Sequence, residues 1–232
     1  MGACGVNAGL DPSVMRHNAA RMSTLTETMK ADLVKGYREF RASDFEEQKD
    51  LYERLGTKGQ APKVMLISCA DSRVDPTDIF HAYPGEMFVV RNVANLVPPA
   101  DLETPTPGTG AALEFAVNVL GVSAIVVMGH ESCGGVKGCY DGITDGYVGA
   151  WVSHLKPACD RIKSRGLPDE DAIFQLELEG VRQSLENLMS FPFVADKVKA
   201  GELALIGAYF SIISAKLLMM GDDEEFREVS PG

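Results

Sequence analysis

The first half of the chain carries two kinds of hydrophobic pattern. Apolar residues recur at helical spacing after a Ser/Thr-rich start, which predicts an amphipathic helix over about residues 23–42. Asp44 followed by Glu47 resembles a capping box, and it predicts a second, short helix that runs through Leu55. Three short, continuous apolar runs follow, at residues 64–67, 87–90 and 124–128. Such runs are typical of strands that are buried on both faces of a parallel sheet.

The rest of the chain also alternates between short apolar runs and stripes at helical spacing. A helical stripe between the second and third runs predicts a strand–helix–strand unit, and therefore a right-handed parallel crossover. The remaining predicted elements are helices near 109–120, 148–165 and 169–190, a short helix from Pro192, a strand over 203–210 and an apolar segment over 212–220. The pattern favours an α/β fold with a central, mostly parallel β-sheet flanked by helices and with an N-terminal helical arm.

The length of 232 residues suits one large domain with appendages. We expect an N-terminal extension over 1–22, one α/β domain with its helical arm over 23–220, and an acidic, solvated tail over 221–232. The formal net charge of −11 argues against nucleic acid and anionic membranes as partners. The apolar runs are shorter than the roughly 20 residues of a membrane helix, and no signal peptide is visible at the start.

Five cysteines form an odd set that fits poorly with a secreted disulfide framework: Cys4, Cys69, Cys133, Cys139 and Cys159. A reducing compartment is therefore expected, and the cytoplasm is our prediction. Residues 1–21 contain basic side chains and one acid, so import into an organelle stays open as an alternative.

Two polar clusters follow predicted strands. One contains Cys69, Asp71 and Arg73, and the other contains His130 and Cys133. Ligands bind beyond the carboxyl ends of strands in open α/β sheets, so both clusters can face one crevice. Two thiolates and one imidazole suit Zn²⁺ and leave its fourth tetrahedral position free for catalysis. A structural site would need a fourth ligand, for which Cys139 is the nearby candidate.

The motifs around these residues have a characteristic order: Cys69-x-Asp71-Ser72-Arg73, Arg91-Asn92-Val93-Ala94-Asn95, Gly108-Thr109-Gly110 and Gly129-His130-x-x-Cys133-Gly134-Gly135. In this order and at these intervals they resemble the β-class carbonic anhydrases over about residues 30–215. The resemblance implies one Zn²⁺ per chain and reversible hydration of carbon dioxide to bicarbonate and a proton by a zinc-bound hydroxide. It also implies a homodimer, with a dimer of dimers as a further assembly.

The resemblance also assigns roles to individual residues. Cys69, His130 and Cys133 match the zinc ligands, and Asp71 and Arg73 match the catalytic pair. Asp71 would become a zinc ligand only in a closed, inactive state in which Arg73 releases it. Four further residues match positions that line the substrate pocket: Gln60, Phe88, Val93 and Gly134.

Two positions depart from parts of the family. Phe115 stands where some members carry a tyrosine, so a hydroxyl contact is missing there. Leu66 stands where a subgroup inhibited by its own bicarbonate carries a tryptophan. We therefore expect the open form, with Asp71 bound to Arg73.

Two other functions remain open from the sequence. A hydrolase of carbon disulfide or carbonyl sulfide on the same scaffold would share every ligand and would differ in pocket access and assembly. A non-enzymatic, zinc-stabilised structural or sensor protein would instead have a closed site with four protein ligands.

Overall fold

The structure of the protein is a computed structural model that describes residues 12–100 and 107–230, with side chains from residue 21 onward except at position 107. Cys4 and the first half of the expected N-terminal extension lie outside the described residues. The chain divides into two compact units, with the division between Lys58 and Gly59. The helical segment before Gly59 thus forms a compact unit of its own.

The first unit is helical. Its elements are α1 (Pro12–Ala42), α2 (Asp44–Glu47) and α3 (Lys49–Lys58). Helix α1 begins well before the predicted residue 23, because Pro12 suits a first helical position even though no apolar stripe follows it at once. The predicted stripe on α1 is exposed in this chain, at 51% for Leu25, 76% for Leu33 and 60% for Tyr37.

The second unit contains the sheet. Its strands are β1 (Val64–Cys69), β2 (Met87–Asn92), β3 (Ala124–His130), β4 (Ala204–Ser211), β5 (Lys216–Met220) and β6 (Phe226–Glu228). Its helices are α4 (Pro76–Ile79), α5 (Pro107–Glu114), α6 (Gly134–Tyr140), α7 (Gly146–Val152), α8 (Lys156–Lys163), α9 (Asp169–Leu188) and α10 (Pro192–Lys199). A π-helical segment, Phe115–Leu120, continues α5 to the C-cap glycine Gly121.

The strand order is β2-β1-β3-β4-β5-β6. The first four strands are parallel, and β5 and β6 add to β4 as antiparallel strands, so the predicted mostly parallel sheet is confirmed. Strand β6 lies within the segment interpreted as a tail, where Arg227 pairs with Met219 of β5. The unpaired edge of β5 offers backbone groups that a three-residue strand can satisfy, despite the acidic residues before it.

The central strands are buried on both faces, as their continuous apolar runs indicated. Met65 and Ile125 pack on one side with Leu113 of α5, while Leu66 and Met128 belong to a second apolar cluster. Adjacent parallel strands end at the same edge of the sheet, which places the residues after β1 and β3 side by side. Within the described residues, no helix combines the length and the apolar character needed to cross a membrane.

Candidate metal centre

Three side chains meet where β1 and β3 end. Cys69 is the last residue of β1, His130 is the last of β3, and Cys133 directly precedes α6. Their ligand atoms all lie within 4.8 Å of one another, and the two Sγ atoms are 3.9 Å apart. All three residues are buried. The predicted ligand set is therefore assembled by strands that are neighbours in the sheet.

The imidazole of His130 is oriented by its own loop. Its Nδ1 lies 2.9 Å from the carbonyl oxygen of Glu131, which accepts a hydrogen bond from the Nδ1–H tautomer. The other nitrogen, Nε2, is buried and has no hydrogen-bond partner. A buried imidazole nitrogen without a partner is unfavourable unless something binds it, and a metal ion next to the two thiols would do so.

The surroundings of the two thiols also favour the binding of a cation. Hydrogen bonding from the Cys133 thiol lowers the pKa of Cys69 well below its ordinary value, although burial opposes this shift. The hydrogen bond between the two thiols, together with burial, raises the pKa of Cys133, because a second negative charge beside that of Cys69 is unfavourable. The site thus holds at least one thiolate at neutral pH, which is the form of cysteine that binds metals.

The chemistry of the donors fits Zn²⁺, which prefers thiolate sulfur and imidazole nitrogen. In the described part of the chain the cluster has three members. Cys139 does not join it: this residue is near the end of α6, where the thiol of Cys159 approaches its carbonyl oxygen at 3.9 Å. A tetrahedral ion bound here would keep one position for a water or a substrate.

Asp71 and Arg73 form the expected pair beside the cysteine–histidine cluster. Arg73 donates from Nε to Oδ1 at 2.9 Å and from Nη2 to Oδ2 at 2.7 Å, so the contact is bidentate. Its Nη2 also donates to the carbonyl oxygen of Ser132, at 3.1 Å, which ties the pair to the loop before Cys133. These hydrogen bonds hold the pKa of Asp71 well below its ordinary value, so the carboxylate stays ionised.

Arg91 of β2 organises the loop that follows Cys69. Its Nε donates to the carbonyl oxygen of Cys69 at 3.0 Å, and its Nη2 donates to those of Asp71 at 2.6 Å and Val74 at 2.9 Å. These bonds set the direction in which the loop leaves β1. The sequence motif includes Arg91, but spacing alone assigns it no contact.

Comparisons with known proteins agree with this geometry. The sequence model of the family described as carbonic anhydrase matches residues 64–217. The chain is also 38% identical to beta carbonic anhydrase 3 of Arabidopsis thaliana over 214 residues, which is 84% of this chain and 82% of the relative. The chain belongs to the β-carbonic anhydrases. The predicted family, zinc cofactor and enzyme class, a lyase that hydrates carbon dioxide, are thereby confirmed.

Solved β-carbonic anhydrases share the fold. The structure of CcaA superimposes with a TM-score of 0.81 at 30% identity, and the match covers 88% of this chain and 93% of that one. A structure from Sordaria macrospora, described as one of two tetrameric β-carbonic anhydrases, matches with a TM-score of 0.69 at 25% identity, over 90% of this chain and 100% of that one.

The structure brings two of the four predicted pocket residues of this β-carbonic anhydrase to the metal cluster. Gly134 directly follows Cys133 in α6, and Val93 lies beside the same helix, since a Cβ added at Gly135 would be 2.7 Å from its Cγ1. Val93 is 39% exposed, so part of its apolar side chain is accessible.

The other two predicted pocket residues lie elsewhere in the chain. Phe88 pairs in register with Met65, four residues before Cys69, which places it about 13 Å along the sheet from the thiol. Its ring packs on Phe115, with the centroids 5.9 Å apart. Gln60 precedes β1 and is exposed at the end of the strand opposite Cys69. Neither residue can reach the cluster within one copy of the chain.

Sequence reasoning missed two residues behind the metal site of this β-carbonic anhydrase. Glu177 of α9 accepts a hydrogen bond from the backbone N–H of Cys133 at 2.8 Å, and the hydroxyl of Tyr209 donates to the same carboxylate at 2.7 Å. The available signal was a glutamate between Leu176 and Leu178, at the buried stripe of a predicted helix. Charged residues seldom occupy such positions without a partner.

Proposed function

We propose that Cys69, His130 and Cys133 hold one Zn²⁺, and that this site hydrates carbon dioxide reversibly with Asp71 and Arg73 as the catalytic pair. The observation that carries the proposal is the buried Nε2 of His130, which has no hydrogen-bond partner and lies within 4.8 Å of two thiols. The three-membered cluster supports an open catalytic site over a closed structural one. Zn²⁺ in such a site lowers the pKa of a water molecule and so supplies a nucleophile near neutral to alkaline pH.

The protein's own groups would then direct the reaction. Arg73 holds both carboxylate oxygens of Asp71 and keeps this side chain away from the metal ligands. Asp71 can accept a further hydrogen bond with its remaining lone pairs, and it would thereby orient the attacking group toward the substrate. Release by Arg73 would free Asp71 to ligate the metal and block the site. Val93 would provide an apolar wall for carbon dioxide.

A stopped-flow assay of carbon dioxide hydration tests this proposal. The zinc-loaded protein should be active, and Asp71→Ala should lower kcat about 10²- to 10⁴-fold, because general acid–base groups contribute by this amount. The variant should keep its zinc, since Asp71 is not a ligand in the open form. Asp78→Ala is the matched control, because this nearby aspartate is exposed and outside the cluster; its activity should match that of the wild type.

Two results would contradict the proposal. Wild-type protein with a full complement of zinc but no hydration at any pH would leave a structural or sensor role. Faster turnover of carbon disulfide or carbonyl sulfide than of carbon dioxide would favour the related hydrolase.

We propose further that the working unit is a homodimer, which can pair into a tetramer. The exposed apolar stripe on α1 supports association with a second copy. So does the distance of Gln60 and Phe88 from the ligands: if these residues contact the substrate, they do so at the metal site of another copy. The tetrameric relative from Sordaria macrospora supports the larger assembly.

Subunit complementation tests this assembly. Cys133→Ser should abolish the metal site, and Phe88→Ala should weaken the pocket. A mixed dimer of the two variants contains one intact site if the pocket is shared between copies, and none if each copy is self-sufficient. Recovery of activity on mixing is therefore the expected result, and absence of recovery in a mixture shown to exchange subunits would contradict the shared pocket.

We propose the cytoplasm as the compartment. The described cysteines Cys69, Cys133, Cys139 and Cys159 are all free thiols, which supports a reducing environment. Cell fractionation of the full chain beside a version without residues 1–21 tests this. A location in an organelle that is lost with the truncation would overturn it.

A further inference from the structure

Glu177 is a buried carboxylate that lies directly behind a metal ligand. The residue is 3% exposed, and its Oε1 accepts from the backbone N–H of Cys133 at 2.8 Å. Its Oε2 accepts from the hydroxyl of Tyr209 at 2.7 Å. Both carboxylate oxygens are thus engaged, and one of them holds the peptide that carries a ligand thiol.

The close approach of α9 to β3 makes this contact possible. A Cβ at Gly129 would lie 2.9 Å from Cγ2 of Val181 and 3.5 Å from the carbonyl oxygen of Glu177. Any side chain at Gly129 would therefore push α9 away from the strand that ends in His130. Gly129 therefore lets α9 lie close enough to β3 for the Glu177 carboxylate to reach the first turn of α6.

The segment between His130 and Cys133 needs external support. Ser132 has a φ of +58°, which is a left-handed conformation that a non-glycine residue adopts at a cost. Cys133 is the N-cap residue of α6, and no side chain within the helix caps this end. The hydrogen bond that the Cys133 N–H donates to Glu177 fixes the Cys133 peptide and so the direction of its thiol.

Water competes with Glu177 for the hydrogen bond that the Cys133 N–H donates. Glu177, Tyr209 and Cys133 line a cavity of about 780 Å³ that also contains the charged side chains Lys137 and Glu131. Without the carboxylate, water from this cavity could solvate the Cys133 N–H, and the peptide would no longer be held in one orientation.

We infer that Glu177, supported by Tyr209, is a positioning residue that holds Cys133 in the geometry required for metal binding. The inference rests on the proposed zinc site and adds a residue from α9 to it. Groups behind metal ligands typically change metal affinity about 10- to 100-fold when they are lost.

The test compares zinc retention among variants of the full-length protein. Glu177→Met keeps the volume and removes both acceptors, so zinc should transfer to a chelator about 10- to 100-fold faster than from the wild type. Glu177→Gln retains an acceptor for the Cys133 N–H, and its zinc transfer should lie closer to that of the wild type than to that of Glu177→Met. Tyr209→Phe should fall between these two variants.

Glu186→Met is the matched control, because Glu186 is an exposed residue of the same helix; it should retain zinc as the wild type does. Substitution by Co²⁺ supplies a second measurement: the thiolate-to-cobalt absorption bands should change in Glu177→Met and not in the control. A merely structural role would lower the free energy of unfolding and leave these bands and the zinc transfer rate unchanged.

Zinc transfer from folded Glu177→Met at the rate of the control would overturn the inference. If that variant does not fold, Tyr209→Phe decides: faster transfer supports the inference, and an unchanged rate overturns it. Failure of the proposed function is distinguishable, because wild-type protein would then bind zinc without hydrating carbon dioxide, whatever the variants show.

Discussion

The described part of the chain contains two pairs of neighbouring buried cysteines that differ in their surroundings. Cys69 and Cys133 lie at strand ends beside His130, and their ligand atoms form a compact set. Cys139 and Cys159 lie together between α6 and α8, beside a cavity of about 350 Å³ that is also lined by Lys156. Both pairs consist of free thiols.

The difference lies in what stabilises a thiolate. The hydrogen bond from Cys133 lowers the pKa of Cys69 well below its ordinary value. Burial and the neighbouring Cys159 instead raise the pKa of Cys139 to about 11. Proximity of two thiols is therefore not enough for a metal site; an imidazole with a free nitrogen and donors that favour the thiolate are also required.

Serine substitutions should separate the two pairs most strongly. Cys69→Ser or Cys133→Ser should remove the zinc and lower hydration more than about 100-fold, because each replaces a ligand. Cys139→Ser or Cys159→Ser should keep both properties. Zinc content and stopped-flow hydration, measured on the same samples, check this. Loss of zinc from the Cys139 variant would show that this residue is a ligand after all.

Thiol alkylation in the metal-free protein should show a smaller but distinct contrast. Since hydrogen bonding from Cys133 holds the pKa of Cys69 well below its ordinary value, Cys69 is already a thiolate at neutral pH, and its alkylation rate should change little from about pH 6 to 9. The pKa of Cys139 is about 11, so its thiolate fraction should rise about tenfold per pH unit over that range. Mass-spectrometric mapping distinguishes the sites. Parallel pH profiles would contradict the assigned difference.

Cys159→Ala should have the smallest effect. Cys159 is 3% exposed and packs as a small apolar residue, so its truncation should lower the free energy of unfolding by about 1 kcal/mol. Urea denaturation measures this, and the zinc content serves as the control. A loss of zinc at unchanged stability would reverse the roles given to the two pairs.

Local patterns were sufficient for the centre of the fold and for the cluster of two cysteines and one histidine. The continuous apolar runs before Cys69 and His130 predicted buried parallel strands, and such strands end at one edge of a sheet. The donor atoms of two cysteines and one histidine then indicated which metal could bind. These steps depend on short sequence segments, so they needed no knowledge of tertiary packing.

Features that depend on packing between distant segments were harder to predict from the sequence. Strand β6 exists through its pairing with β5, although the residues before it are acidic. The contact of Glu177 with Cys133 joins residues 44 positions apart, and it requires the glycine at position 129. The resemblance ties Phe88 to a substrate pocket, but the sequence does not show that it lies at the other end of the sheet from Cys69.

X-ray absorption at the zinc edge of the full-length protein shows directly whether two cysteines and one histidine hold the metal and leave one position free. We expect two sulfur ligands at about 2.3 Å, one imidazole nitrogen at about 2.0 Å, and one further oxygen or nitrogen. The same spectrum should be obtained after Cys139→Ser. A third sulfur ligand, or a spectrum that changes in this variant, would contradict this coordination.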